Sequence, residues 1–243
     1  MTDTRDWWEA AFAELYLELY AHRDDGSAAA EVAGVLPMLS TAPGPVLDAC
    51  CGNGRHLAAM REAGLRAWGF DLSPQLLTVA NERPACQGRL ARGDVRRPPL
   101  AGSFGAITLF FTAFGYFPDG TNAAALTGLA ALLAPGGVIM LDLPDPDHLA
   151  RNLVPHSERH TASGLRVMEL RRMVDKRVEK TVTALADDGT SERYTESVRL
   201  YGPGEIADLA QLAGLEVEAC WGSLRGLNHD DKRRVYWLRQ TGS

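Results

Sequence analysis

What this sequence lacks narrows it quickly. It has no excess of positive charge: 25 Lys and Arg stand against 31 Asp and Glu, for a formal net charge of -6. A mildly acidic chain without a cationic stripe is a poor partner for a phosphate backbone, so no nucleic-acid partner is expected. The most basic stretch, RVMELRRMVDKRVEK at 166–180, is interrupted by acids and reads as the solvated face of a strand. No apolar run approaches the roughly 20 residues that a membrane helix needs, so no membrane partner is expected either. The start, MTDTRDWW, lacks the positive-then-apolar order of a secretion signal. Cysteine is scarce. The four present, Cys50, Cys51, Cys86 and Cys220, form no C-x-x-C pair, and the six histidines show no ligand spacing around them. This excludes a disulfide scaffold, speaks against a zinc site or any other metal, and points to reduced thiols in a cytoplasmic setting.

Two nucleotide-binding signatures are also missing. There is no G-x-x-x-x-G-K-[ST] element, which removes ATP chemistry of the P-loop kind. The third glycine of the dinucleotide fingerprint is absent too, since residues 52–57 read GNGRHL.

What is there is organised around PVLDACCGNGRH at 45–56. Apolar residues lead to an acid, a glycine turn follows, and LAAMREAG continues as a helix. Glycine lets the backbone turn with positive φ and lets a ligand come close. The helix start offers unpaired N–H groups and a positive dipole end. From here strand and helix alternate: strands at 45–49, 66–70, 88–91, 104–111 and 138–143, and helices to about 63, from Pro74 with Ser73 as N-cap, and over 123–133. Such alternation implies parallel strands joined by right-handed helical crossovers. Before it lie an amphipathic helical stretch over 5–22 and a second helix over 28–40. After Asp147 the pattern changes. Three strand-like segments within 164–201, with an Asp188-Gly189 turn, predict a small antiparallel insertion. A helix over 203–214 and strands at 215–221 and 234–239 close the sequence. At 243 residues this suits one large α/β domain with a small insertion.

Ligands in an open α/β sheet sit beyond the carboxyl ends of the strands. Asp48 and Gly52–Gly54 follow the first strand, and Asp71 ends the second. Asp94 follows the third, and FFTAFGYF follows the fourth. An acid at Asp71 suits the two hydroxyls of a ribose, and one at Asp94 an exocyclic amine on a purine. Asp48 at the end of the first strand would repel a pyrophosphate and suits an ammonium. A ribose, an adenine and a zwitterionic amino-acid tail together describe S-adenosylmethionine.

VLDACCGNGRH, GFDLSPQLLTVA, GDVRRPPL, FFTAFGYF and LLAPGGVIMLD together resemble the successive motifs of class I S-adenosylmethionine-dependent methyltransferases. The resemblance is strongest to the small-molecule, natural-product branch, and it covers nearly the whole chain. It implies an α/β, Rossmann-like, mostly parallel seven-stranded sheet with helices on both faces. It also implies one methyltransferase domain over 1–243, with 1–40 as a helical lid and 150–201 as an antiparallel cap over the substrate. Asp48, Cys50, Gly52 and Gly54 would hold the methionine tail. Asp71 would bind the ribose, with Leu72 beside the adenine, and Asp94 and Val95 would take the adenine. Phe111 and Thr112 would sit near the sulfonium, and Tyr16 would cap the site. Cys50 stands where the family's first glycine usually falls, and Asn53 replaces the usual threonine.

The expected acceptor is a small apolar or aromatic metabolite, methylated on nitrogen, oxygen or carbon. Its pocket is expected among Phe114, Tyr116, Phe117, Tyr201 and Trp221. Tyr16, Tyr116, His156 and His160 are the candidate catalytic groups, and Glu158, Glu196, Arg199 and His229 are further candidates for a base. A homodimer is a candidate assembly. Two rival readings stay open: an NAD-dependent oxidoreductase, and a non-catalytic protein that keeps a degenerate methyltransferase fold.

Overall fold

The computed structural model describes residues 7–12, 14–225 and 232–241. In chain order the elements begin with α1 (Trp7–Ala11), α2 (Glu14–Leu19), α3 (Asp25–Ser40), β1 (Val46–Ala49), α4 (Arg55–Glu62), β2 (Ala67–Asp71), α5 (Pro74–Glu82) and β3 (Leu90–Arg92). Next come β4 (Phe104–Leu109), α6 (Asp119–Ala130), β5 (Leu133–Pro144), α7 (Pro146–Asn152), β6 (His156–His160), β7 (Arg166–Val174), β8 (Arg177–Leu185) and β9 (Ser191–Arg199). The chain then runs through α8 (Pro203–Leu212), β10 (Leu215–Trp221) and β11 (Arg233–Gln240).

Seven strands form the main sheet in the order β10-β11-β5-β4-β1-β2-β3. The pairs among β1 to β5 are parallel, and β11 and β10 join antiparallel at one edge. Alternation along the buried strands builds two cores. Leu47, Ile107, Ile139 and Leu141 face one side with Leu126 and Leu129 of α6 and Ile206 of α8. Val46, Ala106, Val138 and Met140 face the other with Val32 and Val35 of α3 and Leu57 and Met60 of α4. The strand order reverses at β1, whose neighbours β2 and β4 lead away in opposite directions, and this opens a crevice at the carboxyl ends of β1 and β4.

A second, antiparallel sheet has the order β6-β7-β8-β9. Val167, Val182 and Tyr194 on its inner face bury Ala11 and Leu19 of the N-terminal helices in a third, smaller core.

Several boundaries differ from the sequence reading. The helical stretch expected over 5–22 is two short helices, α1 and α2, within its described part. β4 stops at Leu109 because Phe110 leaves the sheet to stack on His56, and Phe111 and Thr112 turn with φ of 51° and 65°. β3 is shifted towards the C-terminus by a turn at Gly88. α6 starts early, at Asp119, where Thr121 and Asn122 donate backbone bonds to Pro118 O. α7, capped by Asp145 accepting from His148 N, and the edge strand β6 were not foreseen.

The start of β4 presses on the loop before β1. A Cβ on Gly105 would lie 2.6 Å from Gly44 N and 2.8 Å from Pro43 C, backbone atoms that cannot rotate away. Gly105→Ala should cost about 1–3 kcal/mol, as overpacking does. Thermal melts should show a midpoint lower by roughly 2–4 °C per kcal/mol. An unchanged midpoint would show that this approach carries no stability.

Candidate functional site

The loop after β1 carries the first part of the site. Asp48 is 1% exposed. Its Oδ1 accepts from Thr108 Oγ1 of β4 at 3.1 Å, while its Oδ2 is buried without a hydrogen-bond partner. Burial pushes its carboxyl up to about 7, aided by the nearby Asp71 and opposed by the Thr108 bond. The chain then turns through left-handed conformations at Cys50 (φ 60°), Gly52 (φ 55°) and Gly54 (φ 76°) before α4 begins. A non-glycine residue held left-handed is strained, and such strain gathers at ligand sites.

Asp71, at the end of β2, ties this loop to the next one. Its Oδ2 accepts from Gly52 N and its Oδ1 from Ser73 N, both at 2.8 Å. Burial raises its carboxyl, and these backbone bonds oppose the rise. Ser73 caps α5 by accepting from Leu76 N at 3.2 Å, and its hydroxyl donates to Phe12 O at 2.7 Å. That last bond tethers the N-terminal segment over the loop. Asp94, after β3, accepts from Arg96 N at 2.8 Å and from the Arg96 guanidinium. Burial works against its charge, but Arg96 outweighs it and holds the carboxyl below its ordinary value.

The turn after β4 is locked from β5 and β11. Asp142, fully buried, accepts from Phe111 N at 2.8 Å with its side chain and from Thr112 N at 2.9 Å with its backbone carbonyl. Arg233 bonds the Asp142 carboxylate and donates to Thr112 Oγ1 at 3.1 Å. Three guanidinium groups surround the Phe111 ring: Arg23 at 4.5 Å, Arg55 at 5.5 Å and Arg233 at 5.6 Å from its centre.

These loops, the N-terminal helices and the inner face of the second sheet enclose a cavity of about 670 Å³. That lies within the range of roughly 300–1,000 Å³ usual for small-molecule sites. Tyr16, Asp48, Cys50, Gly52, Asp71, Leu72, Asp94, Val95, Phe111, Thr112 and Tyr116 all line it. Burial, then the proximity of Cys50, drives the Tyr116 phenol well above its ordinary pKa, so it stays protonated.

Other expectations are corrected. Gly54 does not line the cavity; it packs on α5, where a Cβ would lie 3.0 Å from that of Ala80. His156 and His160 are exposed on β6 and lie outside the cavity lining, because the alternation of that edge strand turns Ser157 and Arg159 inward instead. Of the expected aromatic pocket only Tyr116 and Phe117 line the cavity. Phe114 and Tyr201 are core residues 5.6 Å apart, and Trp221 packs on Trp237. Glu158 is spent on exposed Arg166, and Arg199 is buried against Glu205 and Asp119. His229 lies outside the described residues. The basic stretch 166–180 is not wholly solvated, since Arg171 and Lys180 reach the cavity wall. Sequence reasoning also missed Arg23 and Arg55, although Arg55 directly follows the glycine turn. Among the described residues no group of three His, Cys, Asp or Glu side chains could hold a metal ion.

Residues 46–137 match the family model described as a methyltransferase domain. The fold is that of the class I methyltransferases, and the matched residues cover β1 to β4 and the start of β5. Among solved structures, an S-adenosylmethionine-dependent methyltransferase from Clostridium acetobutylicum ATCC 824 has the same fold. Its TM-score is 0.77 at 17% identity, over 96% of this chain and 99% of that one. Among curated proteins, the chain is similar to the dTDP-3-amino-3,4,6-trideoxy-alpha-D-glucopyranose N,N-dimethyltransferase of Streptomyces venezuelae. The two are 29% identical over 138 residues, covering 56% of this chain and 58% of that protein. It is also similar to the cypemycin N-terminal methyltransferase of a Streptomyces species, at 28% identity over 186 residues, 74% of this chain and 76% of the relative. The chain spans between 54% and 58% of the length of the first two curated relatives it matches.

The open oxygen of Asp48 has a measurable consequence. Its carboxyl titrates near 3.8 when unfolded and near 7 when folded. The fold therefore binds the proton more tightly, and stability falls as pH rises from about 4 to about 7. Asp48→Asn should remove this fall. In thermal melts without ligand, the variant should exceed the wild type at pH 8 and match it near pH 4. A wild type equally stable at both pH values relative to the variant would refute the assignment.

Proposed function

We propose that this chain is an S-adenosylmethionine-dependent methyltransferase acting on a small metabolite. One observation carries the reading: two buried acids, Asp48 and Asp71, end adjacent parallel strands at one cavity, and Asp48 keeps a buried oxygen without a partner. A buried carboxylate oxygen left unpaired calls for a donor or a positive charge. An ammonium supplies both; a pyrophosphate supplies neither, which disfavours the dinucleotide alternative.

The residues fit the cofactor's parts. Asp48 would hold its ammonium, and Arg23 and Arg55, both on the cavity wall, would neutralise its carboxylate. Asp71 would take the ribose hydroxyls with lone pairs not used by Gly52 N and Ser73 N. Leu72, Asp94 and Val95 would form the adenine seat, and Cys50, Phe111 and Thr112 the wall around the reacting centre. When bound, the cofactor supplies an activated methyl group on a sulfonium, open to in-line attack by a nucleophile. The protein's part is to align that attack and exclude water. Tyr16, with the residues of 1–40 described here, acts as a lid. The sheet within 150–201 acts as a cap on the acceptor side of a single methyltransferase domain. Trp7, Phe12, Tyr116, Val178 and Val198 give the acceptor an apolar and aromatic wall. Four free cysteines suit a reducing, cytoplasmic setting.

Titration calorimetry with S-adenosylhomocysteine should show one site. Asp71→Ala should weaken binding by about tenfold or more, since a hydrogen bond to a charged group contributes roughly 1.5–3 kcal/mol. Absence of binding to the wild type, or a variant that binds equally well, would overturn the reading.

A further inference from the structure

The inner face of the second sheet carries a charged row. Arg171 of β7 stands directly opposite Lys180 of β8, which stands directly opposite Glu196 of β9, and all three line the cavity. Apolar Val178 and Val198 line the same wall beside the row. Lys180 is 15% exposed and Glu196 is 18% exposed, and Lys180 Nζ lies 2.8 Å from Glu196 Oε2. Lys180 also donates to the Tyr20 hydroxyl, which reaches in from the end of the N-terminal helices. Tyr20 in turn donates to Glu196 Oε1, but at 3.4 Å, a weak bond. The two carboxylate oxygens are therefore unequal. Oε2 is fixed by an ammonium, and Oε1 receives only that long bond among the described residues.

Neighbouring groups define the charge states. Burial alone would lower the Lys180 pKa, but Glu196 and Tyr20 outweigh it and the ammonium persists. Burial and Glu196 together raise the Tyr20 phenol, so it remains neutral. Arg171 is already engaged by Glu169 and Ser157. Among the described residues of this wall, the strong acceptor with capacity to spare is Glu196 Oε1. Cys50 and Asp48, on the loop after β1, line the same cavity as Tyr116 and Glu196, so the row faces the same space as that loop.

We propose that Glu196 is the carboxylate that receives the protonated nitrogen of an amine acceptor, with Lys180 and Tyr20 as its positioning residues. This rests on the methyltransferase reading above. A protonated amine has no lone pair to offer. At Glu196 one N–H bond breaks and its electron pair stays on nitrogen. The proton forms an O–H bond with Oε1, so ammonium and carboxylate become amine and neutral carboxyl. Lys180 occupies Oε2 and partly neutralises the carboxylate, which leaves Oε1 as the oxygen that meets the acceptor. An anionic acceptor would meet repulsion at the same atom.

The test uses protein loaded with S-adenosylhomocysteine and the probe benzylammonium, with benzoate as its anionic counterpart, followed by NMR titration. The wild type should bind benzylammonium more tightly than benzoate. Glu196→Gln, nearly isosteric, should weaken the cationic probe by about tenfold, the scale expected for a lost charge-assisted bond. Lys180→Met should act in the opposite sense, tightening the cationic probe, because it frees Glu196 from its partner. Both variants should keep the wild-type affinity for S-adenosylhomocysteine, which shows that they fold. Equal probe affinity in Glu196→Gln, weaker binding in Lys180→Met, or no binding of benzylammonium to the loaded wild type would each overturn the proposal and leave the cofactor reading standing. Failure of the wild type to bind S-adenosylhomocysteine would instead overturn the methyltransferase reading, and this proposal with it.

Discussion

The Asp71 carboxylate is the constraint on which the site depends. One of its oxygens holds Gly52 N and the other holds Ser73 N, so a single side chain fixes the loops after β1 and β2 relative to each other. Without it, two backbone donors in a half-buried place would lose their partners, and each such loss is costly. Ser73 passes the constraint on, capping α5 on one side and holding Phe12 O on the other. One buried acid thus organises a helix start, a glycine turn and the segment that covers both.

The main sheet was largely legible because its central strands, β1, β4 and β5, are buried on both faces and read as apolar runs between glycine turns and helices. ITLF and VIMLDL can scarcely be anything else once PVLDA is a strand. The cavity loops at the strand ends were legible for a related reason. Acids and glycines at strand ends are too polar or too permissive for the core, so they stand out. Gly54 shows the limit of that logic. It shares the turn, but its missing Cβ makes room for Ala80 and Cys86 rather than for a ligand.

The cavity wall formed by the second sheet was much less legible. Its strands each bury one face, and both faces are rich in charge, so hydropathy does not reveal which face points inward. RVMELRRMV reads as a solvated strand, yet its alternation carries Val167, Glu169 and Arg171 to the inside. The same alternation leaves His156 and His160 outside, although histidine draws attention as a candidate base. Phe114, Tyr201 and Trp221 misled because an aromatic ring serves a core as readily as a pocket. Only tertiary packing separates the two uses.

The Asp142–Arg233 contact has a bearing on how the molecule is assembled. The second sheet is a run of hairpins, each strand pairing with the next along the chain, so its contacts are local. The turn at Phe111 and Thr112 is different, because its lock joins residues 91 positions apart. Closing so long a loop comes at an entropic cost that must be met before any contact rewards it. The cavity wall at Phe111 and Thr112 is therefore complete only with β11 in place between β5 and β10. The shape of this wall and the completeness of the main sheet thus rest on the same contact.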